Sequence, residues 1–205
     1  MTNHGYSDRI HHALAFSAKH HPGPVSRYDV HSPLLTNAHV AIILARHGCD
    51  ETSIVSGILK HLVDASPLPT LAQLHQAIAC RFGGLVAATV DGAAEPRFDP
   101  LGRVRAWKAS RFEALGRLAT GSPRVVEIWV ASEIHLSGQV LTDIRRLGAE
   151  YARSVAVAPP LELRWWHRSM LEVVETRAAD LRASLLAELR SVTEEVGTLL
   201  GDGHL

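Results

Sequence analysis

The sequence predicts an all-α protein built around one hydrophobic core, and three features of the chain lead there. Apolar residues recur at helical spacing through almost every long segment. Prolines, glycines and capping residues divide those segments into helix-sized pieces. At 205 residues and 46% hydrophobic content, the chain suits a single well-buried domain over residues 1–205. The one β-leaning run, Val125 to Val130, lies inside a pattern of helical length, and there is no internal repeat or low-complexity tract.

In chain order, Ser7 is placed to cap a first helix over 7–20, which His21-Pro22-Gly23-Pro24 ends. A second over 33–47 is apolar at Leu35, Val40, Ile43 and Leu44, with Gly48 as its C-terminal cap. Asp50-Glu51-Thr52 opens a third, running to about Val63, and Pro67 and Pro69 stop it. Thr70 is expected to cap a fourth that reaches Arg81, and Phe82-Gly83-Gly84 leads into a short fifth over 84–91. Residues 92–102 form the longest expected loop, in a position to lie over a pocket. Helices follow at about 103–119, 123–136 and 137–156, with Val125, Ile128, Trp129 and Ala131 turned inward. Ala158-Pro159-Pro160 precedes a long C-terminal helix over 161–199, whose Gly-Asp-Gly end should fray. Its stripe of Leu181, Leu185, Leu189 and Val192 either packs within the monomer or supports a homo-oligomer.

Composition narrows the partners. Lys plus Arg and Asp plus Glu are 21 each, and the basic residues form no stripe, which argues against nucleic acid and anionic membranes. The N-terminal residues contain no apolar signal core, and no 18-residue apolar run occurs, so a soluble cytoplasmic protein is expected. Cys49 and Cys80 fit two buried thiols in a reducing compartment, with a disulfide left open. Of the thirteen histidines, His11, His12, His20, His21, His47 and His75 read as residues of polar helix faces or ends. The two tryptophans Trp165 and Trp166 cannot face one direction on a helix, so one packs while the other lines a pocket or partner surface.

The order of local motifs goes further. Ala13 to His21 is similar to an opening helix, and Val40-Ala41-Ile42-Ile43-Leu44 to Gly48-Cys49-Asp50 to a second segment, of the RelA/SpoT-type HD hydrolases. Gly57-Ile58-Leu59-Lys60-His61-Leu62-Val63-Asp64-Ala65-Ser66 resembles the helix that carries the His-Asp pair of that family. Arg81-Phe82-Gly83, Trp107-Lys108-Ala109-Ser110-Arg111, Ala131-Ser132-Glu133-Ile134-His135, Leu141 to Arg145 and Arg164-Trp165-Trp166-His167-Arg168 resemble later motifs in the same order, over about residues 9–175. The resemblance implies a single-domain HD-like helical fold with a central cavity. In the family that cavity cleaves the 3′-pyrophosphate of (p)ppGpp with one divalent ion, usually manganese.

Carried over residue by residue, the resemblance puts the four metal-ligand positions at Thr36 or Asn37, Lys60, His61 and Ser132. All are changed, and a cation at Lys60 would repel a divalent ion. Of the acidic pair that handles the attacking water, Asp64 remains and Ala65 replaces the other. Arg27 is what remains of a nucleotide-gripping Arg-Lys element, and Ala94-Glu95 stands where the family has Thr-Lys. The resemblance therefore marks Arg27, Thr36, Asn37, Ser132, Trp107 and Arg111 as candidate substrate-binding residues.

Two chemistries follow from the residues now present. His31, His39, His61 and His135 lie near the old ligand positions and suit zinc, iron or nickel if a metal is held differently. Alternatively no metal or other cofactor is used, and His61, Asp64, Lys60 and His135 are the catalytic group. His61 and Asp64 stand at i and i+3 on one helix face, where a carboxylate would raise the imidazole pKa and fix its tautomer for acid–base work. The sequence thus admits a repurposed metal-independent small-molecule enzyme, a nucleotide phosphohydrolase with rearranged ligands, or a non-catalytic ligand-binding or regulatory module. Of these, the repurposed metal-independent enzyme is the expected function.

Overall fold

The computed structural model describes residues 7–21, 33–148, 150, 154, 156 and 158–201. Among them the protein is all-α, with helices α1 (Asp8–His20), α2 (Pro33–Arg46), α3 (Glu51–Ala65), α4 (Leu68–Phe82), α5 (Gly84–Ala93), α6 (Trp107–Thr120), α7 (Pro123–Leu147), α8 (Pro160–Thr176) and α9 (Ala183–Gly201). A single 3-10 turn, Ala178–Asp180, separates the last two. The only β-type pairing described is an isolated antiparallel bridge between Phe98 and Val104.

The first three helices are set by local chemistry. Ser7 Oγ accepts the Ile10 N–H and Asp50 accepts the Ser53 N–H at 2.8 Å, each satisfying a donor that a helix start leaves unpaired. Gly48 ends α2 at φ 70°, a conformation that favours glycine. The N–H groups of Gly48 and Cys49 then reach back to the carbonyls of Ala45 and Leu44.

Later elements depart from expectation for tertiary reasons. Helix α4 begins before Thr70, with Pro69 in its first turn where a missing N–H loses nothing. Thr70 Oγ1 instead donates to the Pro67 carbonyl at 2.8 Å. Helix α6 starts at Trp107 rather than 103 because residues 97–105 double back: Arg105 N–H donates to the Arg97 carbonyl, and Asp99 Oδ1 accepts the N–H groups of Leu101 and Arg103. Of the helices expected over 123–136 and 137–156, the described residues form one continuous helix through Ser137 and Gly138 to Leu147, and 149, 151–153 and 155 lie outside the described residues. Packing of α7 against α2, α3, α5 and α9 outweighs the weak helix propensity of that pair.

The long C-terminal helix is also corrected, because it breaks at Arg177. The Arg177 guanidinium donates to the carbonyls of Leu118, Ala119 and Gly121 and to Asp180, closing the C-terminal end of α6. That break lets α9 fold back on both α7 and α8. Gly121 is tightly enclosed: a Cβ there would lie 2.8 Å from the Arg117 carbonyl oxygen, which already accepts the Gly121 N–H. Gly121→Ala is expected to lower unfolding stability by about 1–3 kcal/mol through this overpacking. Urea denaturation reads it, and an unchanged midpoint would refute it.

Helix α3 runs through the middle, buried from Ser53 to Lys60 and again at Leu62 and Val63, with α1, α2, α5 and α7 packed around it. Val125, Ile128, Trp129 and Ala131 are buried as expected, each large apolar side chain contributing about 1.5–3 kcal/mol. Leu35 is not: it is 50% exposed. The expected stripe is satisfied within the monomer: Leu185 and Leu189 on α9 are buried, Val192 on the same helix packs against the core, and so does Leu181 just before it. Cys49 is buried and Cys80 exposed, both as free thiols, so the expected pair of buried thiols holds for Cys49 alone. Burial, reinforced by the neighbouring Glu127 carboxylate, pushes the Cys49 thiol up to about 12. No helix among the described residues is long and apolar enough to cross a membrane.

Candidate functional site

The helix that carries Lys60 and His61 divides them between two environments. Lys60 is buried, with Nζ 2.7 Å from Asp64 Oδ2 and 4.9 Å from the centre of the Trp129 ring. Asp64 Oδ1 accepts the Glu95 N–H at 2.8 Å, which fixes the start of the loop after α5. Both groups are therefore committed to each other and to that loop. The expected His61–Asp64 pair does not form, because Lys60 at i−4 and Glu95 take the carboxylate.

His61 faces α7 and α2 instead. Its Nε2 is 3.3 Å from Ser132 Oγ, whose own hydroxyl donates to the Ile128 carbonyl at 2.8 Å. One turn along α7, the buried His135 places Nε2 3.2 Å from Thr36 Oγ1 and Nδ1 3.3 Å from Nδ1 of the exposed His39. The two rings meet edge to face at 84°. Thr36 and His39 share one face of α2, and Ser132 and His135 one face of α7, each at i and i+3. Three helices thus contribute three imidazoles and two hydroxyls to one place.

Electrostatics set the state of the inner ring. Desolvation, followed by the nearby positive charges of Lys60 and His135, holds His61 well below the ordinary value of 6.5. This reverses the upward shift expected from a carboxylate neighbour, and it makes His61 a neutral ring at pH 7. Among the described residues, no group of three or more His, Cys, Asp or Glu is arranged to hold a metal ion. His31 and Arg27 lie outside the described residues. Asn37 is also removed from the site, since its amide donates to Ser17 Oγ at 2.6 Å in the buried seam between α1 and α2.

Trp107 and Arg111 belong to a second cluster. Arg111 lies 3.4 Å from Glu95 and stands over the rings of Trp166 and Trp107, at 4.8 and 5.4 Å. Beyond them, buried Glu133 receives the Trp166 indole N–H at 3.0 Å and sits 2.5 Å from His167 Nδ1. Burial alone would push the Glu133 carboxyl up. The attraction and hydrogen bond of His167, the indole bond and the Arg111 charge outweigh it and leave the carboxyl below its ordinary 4.5. Sequence reading missed this pair; its signal was an acid within the apolar run from Val125 to Ile134, which demands buried partners. The adjacent Trp165 turns the other way, against Phe112 and Lys108.

No protein-family model matches the chain, and no curated protein matches it. Among solved structures, the crystal structure of lmo0812 from Listeria monocytogenes EGD-e aligns with a TM-score of 0.64, covering 80% of this chain and 94% of that one. The likeness is one of fold. At 17% identity the comparison carries the helical architecture and says nothing of the side chains at the site.

Proposed function

We propose that this chain is an HD-like protein, similar to the RelA/SpoT-type hydrolases, whose divalent-metal site has given way to an imidazole cluster, and that it is a metal-independent small-molecule enzyme working by acid–base proton transfer. The single observation that carries this reading is the convergence of His61, His135 and His39, with the inner ring neutral and the His39–His135 nitrogens 3.3 Å apart. The positions that the resemblance assigns to the metal do not fit a divalent ion: the Lys60 ammonium is paired with Asp64, and Ser132 spends its proton on a backbone carbonyl. In this reading His61 is the base. His135 is the second proton-exchanging group, and His39 connects it to solvent.

An isomerisation or cyclisation suits the arrangement, because a proton leaves the substrate at one atom and another returns elsewhere, with no co-reactant. General acid–base groups contribute about 10²–10⁴-fold to rate. Incubating the protein with mixtures of small metabolites in D2O, and reading deuterium entering carbon-bound positions by NMR, tests the proposal. Wild-type protein should incorporate deuterium into a substrate, and His61→Ala should lose it by about 10²–10⁴-fold. Equal incorporation by His61→Ala would sink the proposal. A second reading, a non-catalytic ligand-binding module, draws support from the internal commitment of Lys60 and Asp64. It predicts ligand binding without exchange and indifference to His61→Ala.

A further inference from the structure

We infer that Ser132 is a positioning residue that fixes the tautomer of His61, and thereby requires that the ligand group meeting His61 be a hydrogen-bond donor. The inference deepens the proposed acid–base site and rests on it only for its catalytic meaning. A serine hydroxyl has one hydrogen to give. Here it goes to the Ile128 carbonyl one helical turn back, at 2.8 Å and out of water. What Ser132 Oγ offers His61 at 3.3 Å is then a lone pair, so Nε2 must carry the ring hydrogen. A neutral imidazole has one N–H, which leaves the lone pair on Nδ1.

The structure gives His61 Nδ1 no hydrogen-bond partner among the described residues; the ring's one hydrogen bond there is the one through Nε2. Nδ1 is therefore the acceptor that His61 presents. A hydroxyl, an amide N–H or an acidic C–H can meet it, whereas a bare oxyanion brings lone pair against lone pair. Thr36 does not impose the same order on His135, because its hydroxyl can give to or accept from that ring, and the Nδ1–Nδ1 contact with His39 fits either direction.

Nitrogen-15 NMR of histidine-labelled full-length protein, with no substrate added and at a pH where His61 is neutral, tests this independently of any turnover. Wild type should show Nε2 protonated and Nδ1 bare. Ser132→Ala should bring the two resonances closer together as the other tautomer appears, and Ser132→Thr, which keeps a hydroxyl able to bond the same carbonyl, should restore the wild-type pattern. A purely structural role for Ser132 would leave the tautomer unchanged. Acetamide, as a donor probe, should shift the Nδ1 resonance, and sulfate, which has no hydrogen to give, should not. Hydrogen on Nδ1 in wild type, or an unmoved tautomer in Ser132→Ala, overturns the positioning role; a ring that ignores acetamide or follows sulfate overturns the donor requirement. Failure of the deuterium experiment alone would leave the tautomer result standing.

Discussion

Glu133→Ala is expected to lower unfolding stability by about 3–5 kcal/mol, the range for breaking a buried pair on one side only. The carboxylate is 3% exposed, accepts the Trp166 indole N–H and faces His167 Nδ1. Its removal strands the Trp166 N–H in the interior, takes the carboxylate partner from His167 and opens a void between α7 and α8. Urea unfolding at neutral pH measures the loss, and a change under about 1 kcal/mol would count against the pair as a structural tie. Acid should reproduce part of the effect. The folded carboxyl lies below 4.5, so its contribution is fully present above that value and is lost as pH falls through the lower folded value. The neutral His61 acts in a higher window: the unfolded chain takes up a proton near 6.5 while the folded ring resists, so stability begins to fall as pH drops below 6.5. Glu133→Gln should flatten the lower window and leave the upper one.

Asp64→Ala is the second large perturbation. It leaves the Lys60 ammonium, 6% exposed, with the Trp129 face and no carboxylate, and it removes the acceptor of the Glu95 N–H. A loss of about 3–5 kcal/mol is expected. Most of that is the burial of an unpaired charge, so adding Lys60→Met to the Asp64→Ala background should recover much of it, since an apolar chain of similar length packs against Trp129 without a charge. A double-mutant cycle decides: if the two single losses simply add, the residues are not coupled and the pairing is not what anchors this end of α3.

The sequence made the helices legible where their signals are local. Ser7, Asp50 and Gly48 act on backbone groups within a few residues, and each performs the capping its position implies. The break at Arg177 was beyond such reading, because the carbonyls that hold it lie 56 to 59 positions earlier in the chain. The site divides in the same way. Thr36, His61, Ser132 and His135 could be placed near one another from the order of motifs, and they meet. Their pairing could not be read, since Asp64 is within helical reach of both Lys60 and His61, and a backbone N–H from a distant loop tips the choice. His39 drew notice as a metal ligand and sits instead against His135, a contact set by how α2 crosses α7.

The fold-back of α9 bears on how the chain is made. Leu185, Leu186 and Leu189 complete the core, and Ser184 and Glu188 hold the ring of His47 at the far end of α2. A ribosome delivers α2 and α7 well before it delivers α9, the last helix of the core. Until that helix emerges, the nascent protein carries an open apolar seam along α7 and α8, a surface that chaperones recognise and that other nascent chains can stick to.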